Sequence, residues 1–152
     1  MTSNPRQTGE TSVRNPLLLA FQAFEDQRRR HYLTYARSLL TADEADNAVR
    51  STFTALAIEW TTVVTSPDPA VRAWDQFITQ IYTLTPGGPP PPDNGITALA
   101  DLGFTPQTCA DITGRDIAQV HALLHTSALP KRHCRSSTPH HPAGPATEKE
   151  RY

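Results

Sequence analysis

The chain has two cysteines, two lysines and one methionine in 152 residues, and no apolar run long enough to cross a bilayer. Each scarcity excludes something. Cys109 and Cys134 are too few for a disulfide framework, and Cys109 reads as a small buried hydrophobe. The stretch "NPLLLAF" at 15–21 falls far short of the roughly 20 apolar residues of a spanning helix. The N-terminus lacks a basic segment followed by an apolar run, so no signal peptide and no membrane association are expected. A cytoplasmic protein follows. There is no Gly-rich phosphate loop, no His-Glu-x-x-His and no nucleophile elbow. An enzyme is therefore not expected, and neither is a cofactor. "RHCR" at 132–135 and the His pair at 140–141 match no ordinary zinc spacing, so no metal is expected either.

What is abundant is Arg, which outnumbers Lys by 12 to 2, together with Ala, Thr and Pro. That usage suggests GC-rich coding and a bacterial source. Hydrophobic residues make up 38% of the chain, low for a fully packed domain, and the polar ends account for the deficit. Residues 1–13 and 130–152 carry no apolar periodicity and are expected to be disordered. Charge is unevenly spread. Residues 14–84 hold seven Arg against eight acids, residues 93–130 have a net charge of −3, and residues 131–152 form a basic tail of +3.

Between the ends the pattern is helical throughout, giving an all-α class. A first helix is expected over about 16–40, with Phe21, Phe24, Tyr32, Tyr35, Ala36, Leu39 and Leu40 as its stripe and "QRRRH" (27–31) as a solvated turn. "TADE" at 41–44 has the form of a capping box, and Ala45, Ala48, Val49, Thr52, Phe53, Leu56, Ala57 and Trp60 follow on one face. "TTVVT" at 61–65 reads as either a fraying helix end or a loop. "SPDPAVRAW" starts a third helix, with Asp68 as cap, Pro69 at the first position, and Val71, Trp74, Phe77, Ile78 and Ile81 buried. In-register spacing makes Trp60 and Trp74 core residues. Amphipathic helices with short loops pack as a small bundle over 14–84.

"TPGGPPPPDNG" at 85–95 reads as a linker, extended by its prolines. A second module is expected over 96–129. It contains a short helix with Ile96 and Leu99, a helix capped by Thr105 with Pro106 first, a stop at Gly114, and a last helix capped by Asp116. That last helix buries Ile117, Val120, Leu123 and Leu124. The stretch "LGFTPQTCADITGRDIAQVHALLHTSA" (102–128) thus has the rhythm of a helix-turn-helix, but with Asp111, Asp116 and a single Arg115 where a DNA reader usually carries Lys and Arg.

Taken together, the two modules resemble the extracytoplasmic-function group of bacterial sigma factors over roughly 17–129. "YARSLLTADEADNAVRSTFTALAIEW" is similar to that family's helix, short acidic loop and Ala-Glu-Asp-x-Val-Gln-x-x-Phe helix. "PDPAVRAWDQFITQIYT" resembles its Pro-x-x-x-x-Ala-Trp helix, and 102–128 resembles its helix-turn-helix. The resemblance implies two small helical domains joined by a flexible linker. It further implies a face that clamps the beta-prime subunit of RNA polymerase core, here Asp46, Asn47 and Arg50 with Phe53 in support. In the recognition helix it implies that Gln119, His121, Ala122 and His125 face the major groove, assisted by Arg115 and by Lys131 and Arg132 of the tail.

The chain departs from the family at informative places. Asn47 and Arg50 replace an acid and a Gln, and no Arg or Lys follows Arg72 where the family holds the melted promoter strand. Phosphate contacts supply essentially all sequence-independent affinity, so the expectation is a transcription regulator with weak autonomous binding to promoter DNA. A protein-binding adaptor or decoy, engaging polymerase or an anti-sigma partner without directing initiation, is the rival expectation. A helical structural protein is a third.

Overall fold

The computed structural model describes residues 15–128, which form seven helices and no strand. They are α1 (Pro16–Leu39), α2 (Ala42–Ile58), α3 (Trp60–Val64), α4 (Pro69–Leu84), α5 (Ile96–Asp101), α6 (Pro106–Thr113) and α7 (Ile117–Ala128).

The ends of these helices follow from local chemistry. Asn15 Oδ1 accepts the Leu17 N–H at 3.0 Å, and Pro16 needs no donor at the first position. The capping box closes as read: Thr41 Oγ1 accepts from Glu44 N at 3.4 Å, and Glu44 Oε2 accepts from Thr41 N at 3.1 Å. Asp68 stands at the cap position of α4, but its side chain makes no capping bond. α1 runs unbroken through its arginines, while Leu17, Leu18 and Leu19 of its first turn stay exposed. Of the β-branched run, "TTVV" completes α3, in which Trp60 and Val63 are buried, and Thr65 ends it with its hydroxyl on the Thr61 carbonyl at 2.8 Å. Val71, expected in the stripe of α4, is only half-buried; Ala73 takes the inner position beside Trp74, Phe77, Ile78 and Ile81.

Aromatic rings fill the centre. Tyr32 of α1 stacks on Phe77 of α4 at 4.4 Å between centroids and on Phe53 of α2 at 5.4 Å, with the edge of Trp74 at 5.2 Å. Tyr35, one turn on, meets Trp74 at 5.3 Å and shares a hydroxyl contact of 3.2 Å with Tyr82. Burial pushes both tyrosine hydroxyls well above the ordinary phenol range. The Tyr32 hydroxyl has no hydrogen-bond partner among the described residues.

The proline-rich stretch ends by docking. Asn94, with φ of 54°, presents its carbonyl to the Trp74 indole N–H at 2.9 Å, and its amide donates to Asp75 Oδ1 at 2.6 Å. Asp93 then accepts the N–H of Thr97 at 2.8 Å and starts α5. α5, α6 and α7 pack on one another, and α6 also packs on α4. The buried residues of all seven helices fall in one cluster, from Tyr32 through Trp74 to Ile96, Ile112 and Val120. α6 ends at Gly114, whose left-handed φ of 72° would strain any residue with a side chain. Close approach adds a second reason: a Cβ there would lie 2.6 Å from the Val71 nitrogen and 2.7 Å from Ala70 Cβ.

Three substitutions test this packing. Gly103→Ala meets backbone strain alone, about 1–2 kcal/mol, because nothing lies within 4 Å of its Cβ. Gly114→Ala adds overlap with the α4 backbone and should lower stability in urea at least twice as much; equal losses would show that α6 does not press on α4. Tyr32→Phe removes a buried hydroxyl without a partner and should raise stability by about 1 kcal/mol. A destabilised Tyr32→Phe variant would mean that the hydroxyl is satisfied in solution.

Candidate functional site

The exposed face of α7 carries the residues expected to read a groove. Gln119, His121, Ala122 and His125 are all exposed, while Val120 is fully buried and Ile117, Leu123 and Leu124 are half-buried beneath them. A spacing of four residues puts His121 and His125 one above the other, with ring centroids 6.4 Å apart and planes 25° from parallel. No group of three His, Cys, Asp or Glu able to hold a metal occurs among the described residues. Asp116 caps the helix, its Oδ1 accepting the Ala118 N–H at 2.8 Å. Arg115 lies in the turn ahead of it, half-buried, and its side chain makes no hydrogen bond or ion pair among the described residues. Lys131 and Arg132 lie outside the described residues.

The second expected face is on α2. Asn47 and Arg50 are exposed on it, and Asp46, half-buried, accepts from Arg37 Nη2 at 2.8 Å. Phe53 does not reach that surface. It is 2% exposed, held between the Tyr32 ring and the Arg29 guanidinium, which lies 5.5 Å from its centroid. Phe53 fixes the face from below and offers no contact area.

The three consecutive arginines of α1 do not share one solvated face, because neighbours on a helix point about 100° apart. Arg30 is exposed. Arg29 pairs with Glu25, one turn back. Arg28 crosses to α6, where its Nη2 donates to the Asp111 carbonyl at 3.1 Å. That carbonyl belongs to the last turn of α6, where carbonyls lack partners within the helix. Arg28 therefore supplies from α1 a partner for a carbonyl that the Gly114 cap does not reach, while its guanidinium also covers the Phe24 ring at 4.4 Å. The angular spacing of 28–30 was the available sequence signal for this divergence; which helix Arg28 would meet was not encoded nearby.

Beside this contact an open groove of about 860 Å³ runs between α1 and the α6–α7 turn, with Arg28, His31, Gln107, Asp111, Arg115 and Asp116 in its walls. The His31 ring stands edge-on to Phe104 at 5.3 Å. Burial, and then the positive charges of Arg30 and Arg28, lower the His31 pKa from its ordinary 6.5.

A lowered histidine pKa in the folded state means that the unfolded chain binds the proton more tightly. The contribution of His31 to stability is thus fully present above the ordinary histidine value and is lost as pH falls through the lowered one. Urea midpoints compared between neutral pH and about pH 5 should fall more in the native chain than in His31→Gln; identical slopes would remove His31 as a cause. Compared with protein-family models, with curated proteins and with solved structures, the chain matches none.

Proposed function

We propose that this chain is a divergent sigma-factor-like transcription regulator that contacts RNA polymerase core in the cytoplasm, with weak promoter binding of its own. In this reading α1–α4 form a polymerase-binding unit and α5–α7 a helix-turn-helix unit, the two small domains that the sequence resemblance implies. The observation that carries the reading is the split character of α7. Gln119, His121, Ala122 and His125 form an exposed, polar face on a helix that follows a three-residue turn, with Val120 anchoring the opposite face. Gln can pair with an adenine edge in the major groove. Asn47 and Arg50, exposed on α2, supply a separate face for the beta-prime subunit of polymerase.

Charge favours a second reading. From 93 to 128 the chain has Arg115 as its one Arg or Lys, against Asp93, Asp101, Asp111 and Asp116. Such a surface has little field to steer or hold a polyanion. A protein that keeps both faces without the cations is an adaptor or decoy, binding polymerase or an anti-sigma protein without starting transcription.

The experiment that separates them is capture of core RNA polymerase by the full chain, followed by transcription in vitro. Capture with a promoter-directed transcript supports the regulator. Capture without a transcript, or inhibition of another sigma factor, supports the adaptor. Failure to capture polymerase or any anti-sigma protein removes both. Asn47→Ala with Arg50→Ala should weaken capture about tenfold, the equivalent of about 1.4 kcal/mol, with the thermal midpoint unchanged. In a titration with promoter duplex, binding by the full chain should be no tighter than about 1 µM at physiological salt.

A further inference from the structure

The groove between α1 and the α6–α7 turn holds two guanidinium groups, and neither is neutralised by an ion pair among the described residues. Arg28 donates through Nη2 to the Asp111 carbonyl at 3.1 Å and makes a long contact of 3.5 Å from Nη1 to Gln27, leaving Nε without a partner. Arg115 is less engaged still: among the described residues its buried Nε has no partner, and none of its five side-chain N–H groups meets an acceptor. A half-buried guanidinium without a partner is uncommon, because removal from water is normally offset by directed hydrogen bonds. The two acids in the walls are already engaged. Asp111 Oδ1 accepts the Gln107 amide at 3.0 Å, and Asp116 Oδ1 accepts the Ala118 N–H at 2.8 Å.

We infer that the groove between α1 and the α6–α7 turn is a phosphate-binding site, with Arg28 and Arg115 as its two anion-holding side chains. Guanidinium groups match phosphate oxygens two at a time, and a phosphate offers more acceptors than a carboxylate. The volume, about 860 Å³, is in the range that takes a small organic ligand, so a phosphate ester of mononucleotide size fits. With Asp111 and Asp116 in the walls and His31 neutral, the formal charge of the lining is zero. Affinity therefore comes from short-range hydrogen bonds and not from a long-range field, and is millimolar for the free ion. The site goes beyond the transcriptional reading and stands whether or not α7 contacts DNA.

His31 is the built-in reporter. It shares the groove with Arg28, Arg115, Asp111 and Asp116, with Arg30 nearby on its own helix and Phe104 against its ring. A bound dianion counters the arginine charges that lower its pKa, so its titration midpoint must rise. The test follows the His31 imidazole of the full chain by NMR during addition of inorganic phosphate, adenosine monophosphate and a DNA duplex. A saturable shift with millimolar phosphate, an upward-moving midpoint, and at least tenfold weaker binding in Arg115→Gln are expected. Arg28→Gln should weaken binding similarly, but it also removes the bond to the Asp111 carbonyl; if that variant unfolds, Arg115→Gln decides alone. Phosphate displaced by the duplex points to the nucleic-acid backbone as the natural source, and phosphate that the duplex cannot displace points to a small ester. No saturable shift with free phosphate, or unchanged affinity in a folded Arg115→Gln, overturns the site.

Discussion

The ring of Tyr32 is the contact on which the rest of the structure depends. It touches α2 through Phe53 and α4 through Phe77 and Trp74, so one side chain of α1 sets the spacing of the three long helices. Offset and edge-on aromatic pairs have angular preferences that aliphatic contacts lack, which makes this centre a rigid reference. Trp74 extends it. Its indole N–H holds the Asn94 carbonyl, fixing the end of the proline-rich stretch and hence the start of α5 at Ile96. The placement of α7 and its exposed face is thus tied, through this hydrogen bond and through the packing of α6 on α4, to the inside of the first bundle.

Much of this was legible in the sequence, for local reasons. Capping chemistry lies within three or four residues of the helix it starts, so Thr41 with Glu44, Thr105 and Asp116 could be read directly. Apolar spacing likewise identified Trp60, Trp74, Phe77, Ile78 and Ile81 as core. The misreadings of burial share one cause, which is that burial depends on partners far along the chain. Val71 has the hydrophobicity of a core residue, yet the orientation of α4 turns Ala73 inward. Leu123 and Leu124 are half-buried because α7 packs on short helices that cover only part of its inner face. Arg28 looks no different from Arg29 and Arg30 in sequence, and only the position of α6 distinguishes it.

The functional faces were legible as positions and less so as surfaces. Gln119, His121, Ala122 and His125 share the exposed side of α7 as spacing required. On α2 the same logic placed Asn47 and Arg50 outside, but Phe53 proved to be the floor of that face. The scarcity of cations on α5–α7 holds in three dimensions with one qualification. The bundle lends a positive group to the seam, since Arg28 comes from α1 to the end of α6. The electrostatic character of the seam therefore belongs to neither half of the chain alone.

The bond from Arg28 to Asp111 also has a consequence for how the molecule assembles, because it joins positions 83 residues apart. The hairpin of α1 and α2 closes across only Leu40 and Thr41, so its contacts require little loop-closure entropy. Contacts of long sequence separation are disfavoured until the intervening chain is ordered. During synthesis, α1 and α2 can pair before Asp111 exists, so their packing does not depend on the seam. Arg28 is thus in place on α1 before the helix end it meets has been made.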